Sequence, residues 1–221
     1  MQKGKKYLIR LKESYMNTKW VIFIIMFSML FSASDMGLIF GGSYNNIESD
    51  LIKSTDNIGG FSIGLESKFE DNVVAGLTYT SRGCQVDVGQ ELGFPYHGEL
   101  DVEANYITTY YQYRFDFKKH FNTQRSAGFR LGGEAGYFYD ALFHYKDVTA
   151  DTLYSETDRI DTDEWKQIFG NRWDYGFLVG FDLTILPSLD IVVNYYYSMR
   201  DINEVIEARF RSYGIYGVFR L

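Results

Sequence analysis

After residue 34 the chain alternates apolar and polar residues with a period of two, segment after segment, and only extended strands turn that period into two distinct faces. In residues 61–66, Phe61, Ile63 and Leu65 are apolar while Ser62, Gly64 and Glu66 are small or charged. Val73, Ala75, Leu77 and Tyr79 oppose Gly76, Thr78, Thr80 and Arg82, with Val74 joining the second face. Ile107, Tyr111, Tyr113, Phe115 and Phe117 oppose Thr108, Gln112, Arg114, Asp116 and Lys118. Leu131, Ala135, Tyr137 and Tyr139 oppose Arg130, Gly132, Glu134, Gly136 and Asp140. The same pattern sets Trp173, Tyr175, Phe177, Val179, Phe181, Leu183 and Ile185 against Asp174, Gly176, Gly180, Asp182 and Thr184. It sets Leu189, Ile191, Val193, Tyr195 and Tyr197 against Asp190, Asn194, Ser198 and Arg200, and Tyr213, Ile215, Phe219 and Leu221 against Ser212, Gly214, Tyr216 and Arg220. A weaker strand over residues 37–45 brings the count to eight.

Eight is an even number, as closed antiparallel bacterial barrels require, and closure leaves no edge unpaired in hydrocarbon. The connections at 46–58, 84–103, 145–171 and 201–210 are long, and those at 70–71, 119–125 and 186–188 are short. Regular alternation of this kind predicts long extracellular loops and short periplasmic turns. Pro95 falls in a long connection and Pro187 in a short one, neither inside a strand. Energetics then orients the faces. An arginine turned to lipid at mid-depth costs about 2–4 kcal/mol, so Arg114 and Arg130 belong inside and the apolar face outside. Tyr106, Tyr137, Trp173, Tyr175, Tyr195 and Tyr197 are expected in the aromatic girdles. The expected fold is all-β: an eight-stranded antiparallel up-and-down transmembrane β-barrel. A soluble barrel of lipocalin type is the alternative, and it needs the opposite assignment of faces.

The N-terminal residues carry a different signal. Lys3, Lys5, Lys6, Arg10, Lys12 and Lys19 precede an apolar run over 20–31 and then Ser32, Ala33 and Ser34. That order matches a secretory leader, and the run is shorter than the roughly 17–25 residues of a spanning helix. Residues 1–34 therefore read as a signal peptide, with Met16 an alternative start, and 35–221 as an outer-membrane β-barrel domain with both mature termini in the periplasm. Without the leader the chain holds 16 basic and 28 acidic residues, a formal charge of −12, which argues against a nucleic-acid partner. A single cysteine, Cys84, allows no internal disulfide and is expected to pack as a small apolar residue.

The candidate site is a lumen charge network of Glu66, Arg82, Arg114, Asp116, Arg130, Glu134, Asp182 and Arg220. Eight strands leave an interior that side chains fill, so these groups are expected to pair and plug the barrel. A conducting pore or proton relay is the sharper alternative. Asp161, Thr162, Asp163 and Glu164 offer oxygens to a cation but lack the spaced glycine and twelve-residue frame of a calcium loop. Acidic loops bridged to lipopolysaccharide by divalent cations are a further expectation from charge alone. Of the histidines His97, His120 and His144, the last lies on the lumen-parity face near Asp140, the one hint of lipid-modifying chemistry; no nucleophile motif accompanies it. No catalytic residue, metal ligand or cofactor is assigned. The expected partners are outer-membrane lipid and lipopolysaccharide, the barrel-assembly machinery during insertion, and secretion or envelope proteins, around a monomer whose long loops are the working surface.

The succession of segments resembles the PorT-like outer-membrane β-barrel family of Bacteroidota-type envelopes. Gly76-Leu77-Thr78-Tyr79-Thr80-Ser81-Arg82-Gly83 is close to that family's GLxYxxKG strand. Tyr106-Ile107 leading into Gln112-Tyr113-Arg114-Phe115, the stretch 133–139, and Asp174-Tyr175-Gly176-Phe177 continue the likeness. Asn194-Tyr195-Tyr196-Tyr197-Ser198 followed by Asp201-Ile202, and the terminal Gly217-Val218-Phe219-Arg220-Leu221, complete it. The sequence departs from the family at Thr109, near which a proline is usual, and at Leu221, where the last residue is usually aromatic. The resemblance implies an eight-stranded barrel and no common activity; one founding member is associated with protein secretion.

Overall fold

Alternation becomes a closed sheet once the strands are registered. The computed structural model describes residues 35–48, 58–69, 72–88, 98–117, 126–147, 155–160, 172–201 and 208–221. The expected leader, His97, His120 and the acidic stretch 161–164 lie outside them. Nine strands form: β1 (Asp35–Glu48), β2 (Ile58–Phe69), β3 (Val73–Val88), β4 (Gly98–Asp116), β5 (Ala127–Asp147), β6 (Ser155–Ile160), β7 (Trp173–Leu186), β8 (Leu189–Ser198) and β9 (Arg209–Arg220). Eight of them close an antiparallel barrel in the order β1-β2-β3-β4-β5-β7-β8-β9, with β9 returning to β1. The ninth, β6, pairs with the upper part of β5, Ala141 to Lys146, beyond the ring.

The register fixes the size of the barrel. From Met36, successive partners are Ser67, Ala75, Tyr111, Gly133, Phe177, Tyr197 and Arg211, and the path re-enters β1 at Asn46, ten residues further along. Eight strands with that stagger tilt by about 40° and enclose a cylinder of about 8 Å radius through the backbone. Side chains fill such an interior.

The outer wall is apolar over its whole height. On β7 the odd positions from Trp173 to Ile185 face outward, among them Phe177 and Phe181, each 54% exposed. Twelve residue steps at about 3.3 Å, tilted by about 40°, span about 30 Å along the axis, the thickness of a bilayer's hydrocarbon. Phe40, Ile63, Tyr111, Leu131, Val193 and Ile215 continue the wall around the other strands. Its rings pack on one another: Phe40 stacks on Phe219 at 5.5 Å and Phe129 meets Phe181 edge-on at 5.2 Å.

Four sequence expectations are corrected here. Strands continue into the segments read as loops: β3 and β4 stay paired to Val88 and Gly98, and β6 lies within 145–171. Tyr106 is no girdle residue. It occupies an even position of β4, is 2% exposed, and packs edge-on against Phe138 and Phe210 inside the barrel. Arg200 leaves the lumen face because the chain bends after Ser198, which carries its guanidinium over the ring of Tyr175 on the outer wall. His144 leaves it too, because a β-bulge between Asn105 and Tyr106 shifts the β4–β5 register by one. Beyond the bulge His144 stands opposite Asp101 and Leu142 opposite Glu103, both on the outward side.

Candidate functional site

The polar faces of the eight strands converge on the axis. Seven charged groups near the end that holds Asp35 and Leu221 form one chain of alternating sign. It runs Asp190, Arg220, Glu66, Arg130, Asp182, Arg114, Asp116, and links β8, β9, β2, β5, β7 and β4 across the lumen. Glu66, fully buried, accepts from Arg130 Nη1 at 2.7 Å, Arg220 Nη2 at 2.7 Å and the Tyr110 hydroxyl at 2.7 Å. Asp182 accepts from Arg130 Nε at 2.6 Å and from Arg114 Nε and Nη2 at 2.8 and 2.7 Å, a bidentate grip. Arg114 also donates to Asp116 at 2.7 Å and to Ser126 at 3.0 Å.

Two glycines make this crossing sterically feasible. Gly76 faces the ring of Tyr110, where any Cβ would collide with it, and the ring thereby reaches Glu66. Gly128 sits beside Arg114, whose Nε would lie 2.8 Å from an added Cβ. Each of these two glycines is a seat for a neighbour's large polar side chain.

A second, separate cluster lies higher. Arg82, 2% exposed, is clamped between Glu134 and Asp174, and its guanidinium lies 4.0 Å over the ring of Tyr196 and 5.4 Å from that of Tyr106. Ser198 donates to Asp174 at 2.5 Å. Between the two clusters Ser62, Thr78, Thr80 and Thr108 form a ladder of hydroxyls, with 3.0 Å from Ser62 to Thr80 and 2.5 Å from Thr78 to Thr108. A cavity of about 30 Å³ opens beside it, lined by Glu134, Asn194, Tyr216 and, from the ladder, Ser62, Thr78 and Thr80, with the amide oxygen of buried Asn194 among its unpartnered atoms. That volume holds about two waters.

Above Arg82 the interior turns apolar. Cys84, Val102, Ala104, Phe138, Ala141 and Phe210 are buried together, with Ile47, Leu100 and Phe143 packed against them. The expectation of a polar lumen therefore fits the levels of the two charge clusters and not the end above Arg82. Cys84, fully buried, is part of this plug.

All eight residues expected in the lumen face inward, but they divide: Arg82 and Glu134 belong to the upper cluster and the other six to the lower chain. Asp174 and Asp190 complete the two groups. Both sit on the polar face of their strands, so parity alone points to them; what hides them is their place at a strand's end, where lumen and solvent look alike in sequence. The lipid-modifying hint loses its geometry. Asp140 hydrogen-bonds Asn105 at 2.9 Å, and four residues of strand put His144 about 13 Å further along. Among the described residues no three His, Cys, Asp or Glu side chains gather as metal ligands.

By sequence, no family model and no curated protein matches the chain. By structure, it is similar to several small barrels. The Yersinia pestis attachment invasion locus protein Ail, solved in complex with the heparin analogue sucrose octasulfate, is 14% identical, with 86% of this chain and 99% of that one covered and a TM-score of 0.48. The Pseudomonas aeruginosa outer membrane protein OprG is 16% identical over 86% and 96%, with a TM-score of 0.49. Neisserial surface protein A is 16% identical over 84% and 96%, with a TM-score of 0.41.

Proposed function

We propose that this chain is an integral outer-membrane protein whose lumen is sealed and whose role is structural or surface-interactive. One observation carries the reading: a closed barrel presents an unbroken apolar wall about 30 Å tall and holds Arg82, Arg114, Arg130 and Arg220, the arginines at the height of that wall, inside. A soluble barrel would reverse both faces. Water around Phe177, Phe181, Ile63 and Ile215 would meet an apolar surface far larger than the few hundred Å² that monomers usually expose. Closure supplies the rest, because every strand of the ring has a partner on both sides.

The sealed lumen follows from the same geometry. Two arginine clusters and an apolar plug succeed one another along the axis, and each guanidinium is held by two or more partners from different strands. Moving an ion through would require breaking them in turn, several kcal/mol for each uncompensated buried charge. The paired overhang of β3, β4, β5 and β6 and the connections beyond it are then the working surface, held on a rigid base. Residues 1–34 act as the cleaved leader, the termini face the periplasm, and the barrel works as a monomer. An accessory role in protein secretion or envelope assembly is the second reading, supported by the resemblance of segments to PorT-like barrels.

Fractionation with heat-modifiable gel migration tests the location: the protein should enter the outer membrane and run faster unheated than boiled. A leaderless chain that refolds to a monodisperse species in plain buffer would refute it. Planar-bilayer recording tests the seal, with no unit conductance expected and regular steps contradicting it.

A further inference from the structure

Among the described residues, charge on the outer rim is sorted by side, and the sorting points to a ligand. At the end away from Asp35 and Leu221, the outward side of the β3–β4 overhang carries Gln85, Glu99, Asp101 and Glu103. On the opposite quadrant, from β7 to β9, four arginines stand just above the apolar wall: Arg172, Arg200, Arg209 and Arg211. In a chain whose charge after residue 34 is −12, so local a cationic group is a departure from the average.

These arginines are mounted on the aromatic girdle. Arg211 lies 5.3 Å over the ring of Tyr197, its register partner on β8. Arg200 lies 6.0 Å over Tyr175, whose backbone carbonyl accepts from the N–H of Met199. Arg172 donates to the Tyr137 hydroxyl at 3.4 Å, and Tyr137 packs edge-on against Trp173 at 5.0 Å. A guanidinium laid over an aromatic face holds its plane while its N–H edge stays available for a second, bidentate partner. Two carboxylates share the rim: Asp201 accepts from Arg209 at 2.7 Å and Glu48 pairs with Arg211. Among the described residues around β8 and β9, Arg200, Arg209 and Arg211 stand against Asp201 and Glu48, an excess of one positive charge. Both carboxylate pairs are part-exposed, Arg209 at 41% and Arg211 at 38%, so they hold their partners weakly.

We propose that this rim binds the phosphate-bearing headgroup of an outer-leaflet glycolipid. The inference rests on the reading of the wall as lipid-facing. Height selects the ligand: the arginines lie one row beyond Tyr195 and Tyr213, which pack at 4.7 Å, and below them Phe177 and Ile215 offer apolar surface. A ligand that spans both has an anionic head and acyl chains. The planar forks of Arg200 and Arg211 grip phosphate oxygens, and Tyr213, Ile215 and Phe177 contact the chains.

The test uses the full barrel in detergent micelles, titrated by native mass spectrometry with diphosphoryl lipid A, with the same lipid stripped of phosphate, and with inorganic phosphate. Wild type should retain the diphosphoryl lipid, and R200Q/R211Q should bind it at least about tenfold more weakly. The stripped lipid should bind weakly and equally to both proteins, and inorganic phosphate should not compete at equimolar concentration. The single variants Arg200→Gln and Arg211→Gln carry the comparison if the double variant fails to give the heat-modifiable band. Equal retention of diphosphoryl lipid by wild type and variant overturns the site, as does wild-type binding of the stripped lipid as tight as that of the diphosphoryl lipid. Binding of inorganic phosphate as tight as that of the lipid overturns the lipid as occupant. Detergent dependence of the same preparation is measured alongside: a barrel that needs detergent but ignores the phosphates defeats only the rim, and one that needs none defeats the lipid-facing wall as well.

Discussion

Replacing Glu66 by Gln keeps the shape of the side chain and removes the charge that joins two arginines. Glu66 is fully buried, and the guanidiniums of Arg130 and Arg220 that it holds are 1% and 10% exposed. Breaking a buried pair costs about 3–5 kcal/mol because the remaining charge stays out of water. Arg130 keeps Asp182 and Arg220 keeps Asp190, so the lower end of that range applies, about 3 kcal/mol. With a denaturant slope of about 2 kcal/mol/M, the urea midpoint should fall by about 1.5 M. The assay is urea unfolding of the barrel refolded in lipid vesicles, followed through Trp173 on the outer wall and through gel migration. Asp116→Asn is the control: that carboxylate is 18% exposed at the end of the chain of charges, and its loss should cost no more than about 1 kcal/mol. Adding Arg130→Met to Glu66→Gln should cost less than the two changes measured separately, since the second removes part of the charge left unpaired by the first. Equal midpoints for the Glu66 and Asp116 variants would rule out a burial penalty at Glu66, because the buried and the part-exposed carboxylate would then be equivalent.

Phe181→Arg, at mid-height on the wall, should destabilise the barrel in vesicles by about 2–4 kcal/mol, while Tyr44→Arg near the girdle should cost less than about 1 kcal/mol; equal effects in the same urea assay would contradict the membrane span. Gly128→Ala puts a methyl 2.8 Å from Arg114 Nε and should cost about 1–3 kcal/mol by displacing that guanidinium from Asp182, whereas Gly59→Ala, with nothing within 4 Å, should be silent. Cys84 should resist maleimide in the folded barrel and react once the chain is unfolded, because it is fully buried within the apolar plug; labelling of the native band would show the plug to be open.

Strand number and face were legible because both depend on a period of two, which survives in a single sequence. Glu66, Arg114, Arg130 and Asp182 were legible for the same reason: a charge on an otherwise apolar-alternating strand has only the lumen to occupy. What period two cannot carry is a change of phase. The bulge at Asn105 and Tyr106 moved His144 from the expected inner face to the outer one, and nothing in the local residues marks it. Nor does periodicity reveal where a strand stops; Arg200 follows the alternation on paper and leaves it in space because the chain bends after Ser198. The interior pairings needed the register. Arg130 meets Glu66 across 64 residues and Arg82 meets Asp174 across 92, and only the ten-residue stagger of the ring decides which charges share a level. The rim arginines were hidden differently: the sequence puts Arg200 on the lumen face and Arg209 within the 201–210 connection, and it leaves Arg172 and Arg211 at strand ends where no alternation assigns a face.

The most direct test of the account is to ask what solvent touches the outer wall. Nitroxide labels placed singly at Phe177, Phe181, Ile63 and Ile215, in a Cys84→Ser background refolded into vesicles, report collisions with dissolved oxygen and with a water-soluble nickel chelate. High oxygen contact and negligible nickel contact at all four positions is the predicted result. Free access of the nickel chelate to those positions would contradict it.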